Sequence, residues 1–334
     1  LKLQLLVPHY QEAPTDMEPL LDSVALQQSV DFAEVGVVIA YDGPDAAPLP
    51  IEDWAARYPF AIEHVHAQKG GVSATRNAAL DAAVADYVMF CDADDMLCHA
   101  CGLHIVFNEI DNGGFDTMTS VFIEETRDPV AHKPLYINHD MDSTFVHGKV
   151  HRRAWLVENG IRFDPALTVH EDSYFNILVQ SVASPDRAKY CPYPWYLWKW
   201  RDASVCRHDP DYILKTYNNM LDSNTALVAE LERRGLTDKA RMLTCVMIMD
   251  AYYTMNKREW LDKTHKDYRD AVEARFARYF DEHRATWEAV TDAEKMSVSN
   301  GIRTRSVMEG MPMESMTIDA WLAHVDALAG EENA

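Results

Sequence analysis

The sequence predicts an α/β protein: a Rossmann-like, mainly parallel central sheet flanked by helices, with an all-helical subdomain at its C-terminal end. Three observations carry this expectation. Over the first 125 residues, short apolar runs alternate with helix-like stretches, the rhythm of crossover units. One run, Val35-Gly36-Val37-Val38-Ile39-Ala40, is apolar without alternation, as a strand covered on both faces requires. From Asp209-Pro210 onward strand signals stop and amphipathic helical segments follow one another.

The elements follow in order. Leu3 to Val7 reads as the first strand, ended by Pro8. Thr15, with Glu18 three residues on, has the form of a capping box opening a helix to about Val30. Val35–Ala40 and Ala61–His66 are the next strands, Val72–Val84 is an Ala-rich helix, and Tyr87–Cys91 is a fourth strand. Phe115 to Arg207 is mixed, with short strands, helices near His151–Asn159 and Asp172–Ser181, and an aromatic stretch from Tyr190 to Trp200. Beyond it, Asp209-Pro210 reads as N-cap and first-turn proline, and Arg233-Arg234-Gly235 as a helix end with its glycine. Lys239–Lys257, Asp267–Val290 and Ile318–Leu328 read as further helices, and the stripe Met242, Val246, Met249, Tyr253 as core. The expected domains are residues 1–208 and 209–334, the first with a boundary at 125/126.

Composition narrows the function. The chain has 334 residues, and its 8 Trp, 15 Tyr and 11 Phe supply material for a core and argue against disorder. Lys and Arg number 31 against 53 Asp and Glu, a formal net charge of −22. Such a surface repels phosphate backbones and anionic lipid, which disfavours a general nucleic-acid binder and leaves room only for a local basic groove. No apolar run approaches the roughly 18 residues of a membrane span, and the N-terminus has no signal-peptide pattern. The cysteines, at 91, 98, 101, 191, 206 and 245, are expected as reduced thiols of a cytoplasmic protein.

Ligands of such sheets bind beyond the carboxyl ends of the strands, which directs attention to Pro8–Glu12, Tyr41–Pro44 and Asp92–Asp95. Asp92-Ala93-Asp94-Asp95 follows an apolar strand directly, and in an extended segment Asp92 and Asp94 face one side. Two converging carboxylates suit a hard cation, Mg²⁺ or Mn²⁺, that completes its shell with phosphates. An isolated pair of this kind is also the composition of a solvated turn; its place at a strand end is what favours a metal. Neither the ligand spacing of an EF-hand nor a first-strand phosphatase nucleophile fits. Asp42-Gly43 ends the second strand on the same edge. Gly70-Gly71 leads into a helix whose N-terminus can receive an anion, with Arg76 and Asn77 on its first turns. It is not a P-loop, since no Gly-Lys-Ser/Thr closes it. Glu171-Asp172 opens a later helix, where acids are favoured by the dipole and where one carboxylate could act as general base. Cys98-x-x-Cys101 with His104, on an expected helix, and the pair His64/His66 are the weaker metal candidates, the latter read as a polar strand face.

The order Val7-Pro8-x-Tyr10-x-Glu12, Tyr41-Asp42-Gly43, Gly71-x-x-x-x-Arg76-Asn77, Asp92-x-Asp94-Asp95, Glu171-Asp172 resembles family 2 glycosyltransferases of the GT-A fold, over residues 1 to about 208. The resemblance implies that Pro8, Tyr10 and Glu12 line a nucleotide pocket. Asp42 would read the base, usually uracil, with Gly71, Arg76 and Asn77 nearby. Asp92 and Ala93 would lie at the ribose or metal edge, and Asp94 would bind Mn²⁺ or Mg²⁺ on the diphosphate. Asp172 would be the base, tuned by Glu171. His147 and Lys149 match an acceptor-side segment near the sugar. Arg201 and Ser204, in competition with Lys199 and Arg207, match a loop that closes over the diphosphate, and His208 is placed to give a third metal ligand. The implied halves are a nucleotide-sugar half, 1–125, and an acceptor half, 126–208. No Gln-x-x-Arg-Trp motif is present, so a processive synthase is not expected.

The expected activity is inverting transfer from a nucleotide-diphosphate sugar, a UDP-sugar first, to a hydroxyl of a glycan, polyol or other acceptor. Two alternatives stand beside it: a degenerate scaffold of the same fold, and a transferase acting on modified DNA bases through a basic channel at Arg152, Arg153 and Arg162. The helical third is expected as an acceptor platform, an oligomerisation surface or, least favoured because it is not strongly basic, a membrane-peripheral foot.

Overall fold

The computed structural model describes residues 1–128, 130–201, 212, 216–256, 260, 266–308 and 317–332. It forms two compact units, Leu1–Asp202 and Ala203–Ala334.

The first unit is built on a nine-stranded sheet. Strands β1 (Leu3–His9), β2 (Val35–Asp42), β3 (Ala61–Ala67) and β4 (Tyr87–Phe90) run parallel in the order β3-β2-β1-β4. Every residue of β2 is buried, as its unbroken apolar run required. The sheet continues through β8 (Lys149–Arg152), β6 (Thr117–Arg127), β9 (Ala188–Trp198) and the two-residue β5 (Met96–Leu97), with β7 (Pro134–His139) paired outside β6. This half is mixed: β8 is antiparallel to β4 and β6, whereas β9 is parallel to β6. Helices α1 (Pro14–Ala25), α2 (Ile51–Arg57), α3 (Gly71–Ala82), α4 (Gly102–Asp111), α5 (Arg153–Glu158) and α6 (Glu171–Val182) join the strands. Leu5, Val37, Ile39, Trp54, Trp195 and Tyr196 belong to the core.

Several local expectations shift, each for a physical reason. Pro8 lies inside β1, because β4 runs alongside only as far as Leu6 and beyond it β1 has one strand neighbour. Helix α1 opens with Pro14, and Asp16 Oδ2 accepts the Ala13 N–H (2.9 Å). Glu18 instead accepts from Trp54 Nε1 (3.3 Å) and Arg57 (3.1 Å). The helix ends at Ala25 rather than Val30, because Gln27 bonds the His99 carbonyl (2.9 Å) and Leu103 N–H (3.0 Å) while Gln28 N–H bonds Ala100 (2.7 Å). His151 is on β8, not a helix, with its ring against Thr117 Oγ1 (3.0 Å).

The second unit contains α7 (Tyr217–Arg233), α8 (Thr237–Met255), α9 (Lys266–Glu288), α10 (Asp292–Met308) and α11 (Ile318–Glu332). Its core holds Leu221, Ile248, Trp260, Phe276, Tyr279 and Trp321. The glycine stop is as expected: Gly235 has φ +75, its N–H bonds Glu232 (2.8 Å), and Leu236 N–H reaches back to Leu231 (2.9 Å). Val246 leaves the expected core stripe and is 42% exposed. The Asp209-Pro210 start lies outside the described residues. Among the described residues no helix is long and apolar enough to cross a membrane.

One buried polar side chain joins two elements beneath the sheet. Gln4, fully buried, accepts the N–H groups of Val84 (2.7 Å) and Ala85 (2.9 Å) where α3 gives way to β4. Gln4→Leu keeps the volume but leaves both amides unpaired. Urea unfolding is expected to show a loss of about 2 kcal/mol; an unchanged midpoint would contradict this role.

Candidate active site

Strands β1, β2 and β4 all deliver their carboxyl ends to one edge, so the residues that follow them meet. Pro8, His9, Tyr10 and Glu12 come from β1 and its extension, Asp42 from β2, and Asp92, Ala93 and Asp94 from the segment after β4. Together with Val72, Thr75 and Arg76 of α3 they line a cleft of about 370 Å³.

Arg76 is the centre of the electrostatics. Its side chain is 3% exposed, and its guanidinium donates to Asp92 Oδ1 (2.8 Å), Glu171 Oε1 (3.1 Å) and Asp172 Oδ1. The two acids of the first turn of α6 are thereby joined to the segment after β4. His170, the residue before that turn, has φ +63, a left-handed conformation uncommon for a side chain of this size. Burial works against the charge of Asp92, but Arg76, by charge and by hydrogen bond, holds its carboxyl below the usual value. Asp172 goes the other way. Burial raises it, Arg76 opposes, and Glu171 and Asp92 add to the rise, leaving it at about 8. One cation among three carboxylates leaves excess negative charge, which a proton on Asp172 relieves.

At the β1–β2 end, Asp42 Oδ1 accepts the N–H groups of Gly70 (2.9 Å) and Gly71 (3.1 Å). The helix N-terminus expected to receive an external anion therefore already holds an internal carboxylate. Gly71 has φ +77, a conformation that favours glycine. Glu12 accepts from Tyr10 N–H (2.8 Å) and faces His9 Nδ1 (3.0 Å); burial would raise its carboxyl, but these partners win and hold it at about 2. Lys69 Nζ lies over the Tyr10 ring, 3.4 Å from its centroid.

The Asp92–Asp95 segment is a turn, not an extended strand, with Asp95 N–H on the Asp92 carbonyl (3.3 Å). Its carboxylates therefore diverge to different partners. Asp94 Oδ2 pairs with Arg201 Nη1 (2.8 Å). Burial and Asp92 raise the Asp94 carboxyl, with Arg201 offsetting them. Asp95 is 1% exposed, accepts from Tyr196 Oη (2.6 Å) and Lys199 N–H (2.9 Å), and is pushed well up by burial and then by Asp92 and Asp94. Beside it His147, 2% exposed, is stacked between Phe145 and Tyr196, and burial lowers it to about 4. Its Nδ1 is buried without a hydrogen-bond partner among the described residues and lies 3.9 Å from Asp95 Oδ2. Asp92, Asp95 and His147 each offer a ligand atom within 4.8 Å of the others. Carboxylate oxygens with one neutral imidazole, and an orphaned nitrogen aimed at them, fit a divalent cation such as Mn²⁺ or Mg²⁺.

Other expected residues fall elsewhere. Asn77 stands behind the cleft, its amide bonding both the Phe163 carbonyl (2.9 Å) and N–H (3.1 Å). That contact fixes the Phe163 ring, which lies 5.2 Å from the Arg76 guanidinium carbon. Lys149 is 2% exposed and turned to the Phe145 carbonyl and to Asp142 (3.5 Å), away from the cleft lining. Ser204, His208 and Arg207 lie outside the described residues. Cys98 and Cys101 precede α4 rather than lying on it, and His104 is engaged by the Ser29 carbonyl (3.0 Å), so no zinc cluster forms among the described residues. His64 and His66 are exposed on edge strand β3. Sequence reasoning passed over His9, whose Nε2 faces the Ala47 carbonyl (2.7 Å), although its place between Pro8 and Tyr10 was a signal. It also gave Asp95 no role of its own.

A profile of glycosyl transferase family 2 matches residues 5–153. The chain is 25% identical over 194 residues to the uncharacterized glycosyltransferase EpsJ of Bacillus subtilis (strain 168), covering 52% of this chain and 55% of EpsJ. It therefore spans about half the length of that curated relative. Staphylococcus aureus TarS 1–349 in complex with UDP superposes with a TM-score of 0.61 at 16% identity, over 96% of this chain and 95% of that one. TarS 1–349 in complex with UDP-GlcNAc gives 0.59 at 16% identity, over 91% and 92%. At such identity the likeness establishes a shared fold.

The raised Asp172 carboxyl gives a stability prediction. An unfolded Asp loses its proton near about pH 3.9, whereas the folded chain keeps it to about 8. The stability this contributes is complete below about pH 4 and is lost as pH rises toward 8. Asp172→Asn removes the dependence. It should match the parent near pH 4 and exceed it by on the order of 5 kcal/mol at pH 8 in denaturant unfolding; a variant weaker than the parent at pH 8 would exclude a buried, proton-holding Asp172.

Proposed function

Residues 5–153 belong to glycosyl transferase family 2, and from that premise we propose that this GT-A chain is an inverting transferase moving a sugar from a UDP-sugar to an acceptor hydroxyl. The observation that carries the proposal is the continuity of one cleft, from Tyr10, Glu12 and Asp42 through Asp92 and Asp94 to Arg76, whose guanidinium also holds Asp172.

In this reading Pro8, Tyr10, Glu12 and Asp42 receive the nucleoside. Asp92, grouped with Asp95 and His147, would hold Mn²⁺ or Mg²⁺, and Asp94 would join them once released from Arg201. Such a cation, when bound, neutralises charge on the departing diphosphate. Arg201, paired with Asp94, serves the same diphosphate. Asp172, as carboxylate, takes the proton of the acceptor hydroxyl while that oxygen attacks the anomeric carbon on the face opposite the leaving group. A base that titrates near the working pH suits this task, and the pull between burial and Arg76 sets Asp172 there. The structural neighbour TarS holds UDP and UDP-GlcNAc, which supports the same donor class here. The transferase part is residues 1–208, with donor side 1–125 and acceptor side 126–208, and 209–334 is a helical subdomain.

General-base assistance contributes about 10²–10⁴ in rate. Asp172→Asn is therefore expected to lose transfer by that factor, read as UDP release from a UDP-sugar with a glycan or polyol acceptor, while the calorimetric Kd for UDP stays within about threefold. Near-parental transfer would remove Asp172 from this role. Asp94→Asn should weaken Mn²⁺-dependent UDP binding by about tenfold or more; an unchanged titration would remove Asp94 from the cation.

A further inference from the structure

The acids of the turn after β4 are each satisfied from within the protein. Asp92 has Arg76 (2.8 Å), Asp95 has Tyr196 Oη and Lys199 N–H, and Asp94 has Arg201 (2.8 Å). Of these partners only one is replaceable without unpacking the fold. Arg76 is 3% exposed and shared with α6, and Tyr196 is fully buried, whereas the Arg201 and Asp94 side chains are 36% and 24% exposed. Arg201 is also within electrostatic reach of Glu12 and Asp16. A guanidinium fork accepts a carboxylate or a phosphate with the same geometry.

We propose that Arg201 and a divalent cation compete for the Asp94 carboxylate, so that the cation enters together with the nucleotide diphosphate rather than ahead of it. A free cation meets an Asp94 that is already neutralised and must displace a paired guanidinium. A diphosphate offers Arg201 a new anionic partner and frees Asp94 for the cation. Cation and nucleotide then promote each other's binding by one shared coupling factor, which passes through Arg201. The inference rests on the reading of Asp94 as a cation-bearing carboxylate.

The test needs no turnover. Free Mn²⁺ is followed by electron paramagnetic resonance during titration of the full chain, with and without UDP. Arg201→Gln is expected to tighten Mn²⁺ binding in the absence of UDP by about fivefold or more, and to shrink by a similar factor the gain that UDP confers. Arg57→Gln removes the same charge from a distant pair with Glu18 and Asp22 and should do neither. An Arg201→Gln chain whose Mn²⁺ affinity without UDP is unchanged or weaker overturns the exchange, as does an equal gain in Arg57→Gln. Asp94→Asn separates the two claims. If it leaves Mn²⁺ binding with UDP intact, the reading of Asp94 falls and the exchange with it; if it abolishes that binding while Arg201→Gln changes nothing, only the exchange falls.

Discussion

The guanidinium of Arg76, 3% exposed, is the point on which the acidic side of this site depends, because it faces Asp92, Glu171 and Asp172 at once. Removing one partner of a buried ion pair leaves an uncompensated charge, at a cost of about 3–5 kcal/mol. The surrounding fold can be understood as what keeps Arg76 there. Gly71, at φ +77, starts α3 with its N–H on Asp42 and sets the helix against the sheet edge. Asn77, one residue on from Arg76, clamps Phe163, whose ring backs the guanidinium. His170, in a left-handed conformation, aims the first turn of α6 toward it.

The same arrangement explains how an edge so rich in carboxylates remains folded. Positive charge is distributed one guanidinium to each part of the edge, Arg76 toward Asp92 and α6, Arg201 toward Asp94. Asp95, which has no cationic partner among the described residues, is held by a tyrosine hydroxyl and a backbone amide, and burial raises its carboxyl. In the proposed reading a negatively charged donor comes to this edge, and its affinity then depends on exchanging these internal partners for external ones. The neutral imidazole of His147, packed among aromatic rings, adds a ligand atom without adding charge.

Much of the fold was legible because burial leaves a plain trace in sequence. The unbroken run Val35–Ala40 gave a doubly covered strand, and Arg233-Arg234-Gly235 gave a helix end that the Gly235 cap reproduces. Elements that bury little were not legible: α2 has a single buried residue, Trp54. The start of α1 was misplaced because two capping acids compete, and Asp16 wins while Glu18 is drawn to Trp54 and Arg57. In the site, the residue types and their order along the chain could be named, but not their partners. Arg76 and Asp172 are 96 residues apart, and nothing local to either records that they meet. The turn at Asp92–Asp95 was read as extended because it directly follows a strand, so the divergence of Asp94 toward Arg201 was hidden.

The central claim, a cation-assisted site for a uridine diphosphate sugar at this edge, is tested most directly by calorimetric titration of the whole chain with UDP, GDP, TDP and CMP, each in Mn²⁺ and in EDTA. The account predicts saturable binding of UDP in Mn²⁺ that EDTA removes or weakens by at least about tenfold. Absence of binding by every nucleotide in both conditions would contradict it, and would leave the carboxylates around Arg76 a structural network only.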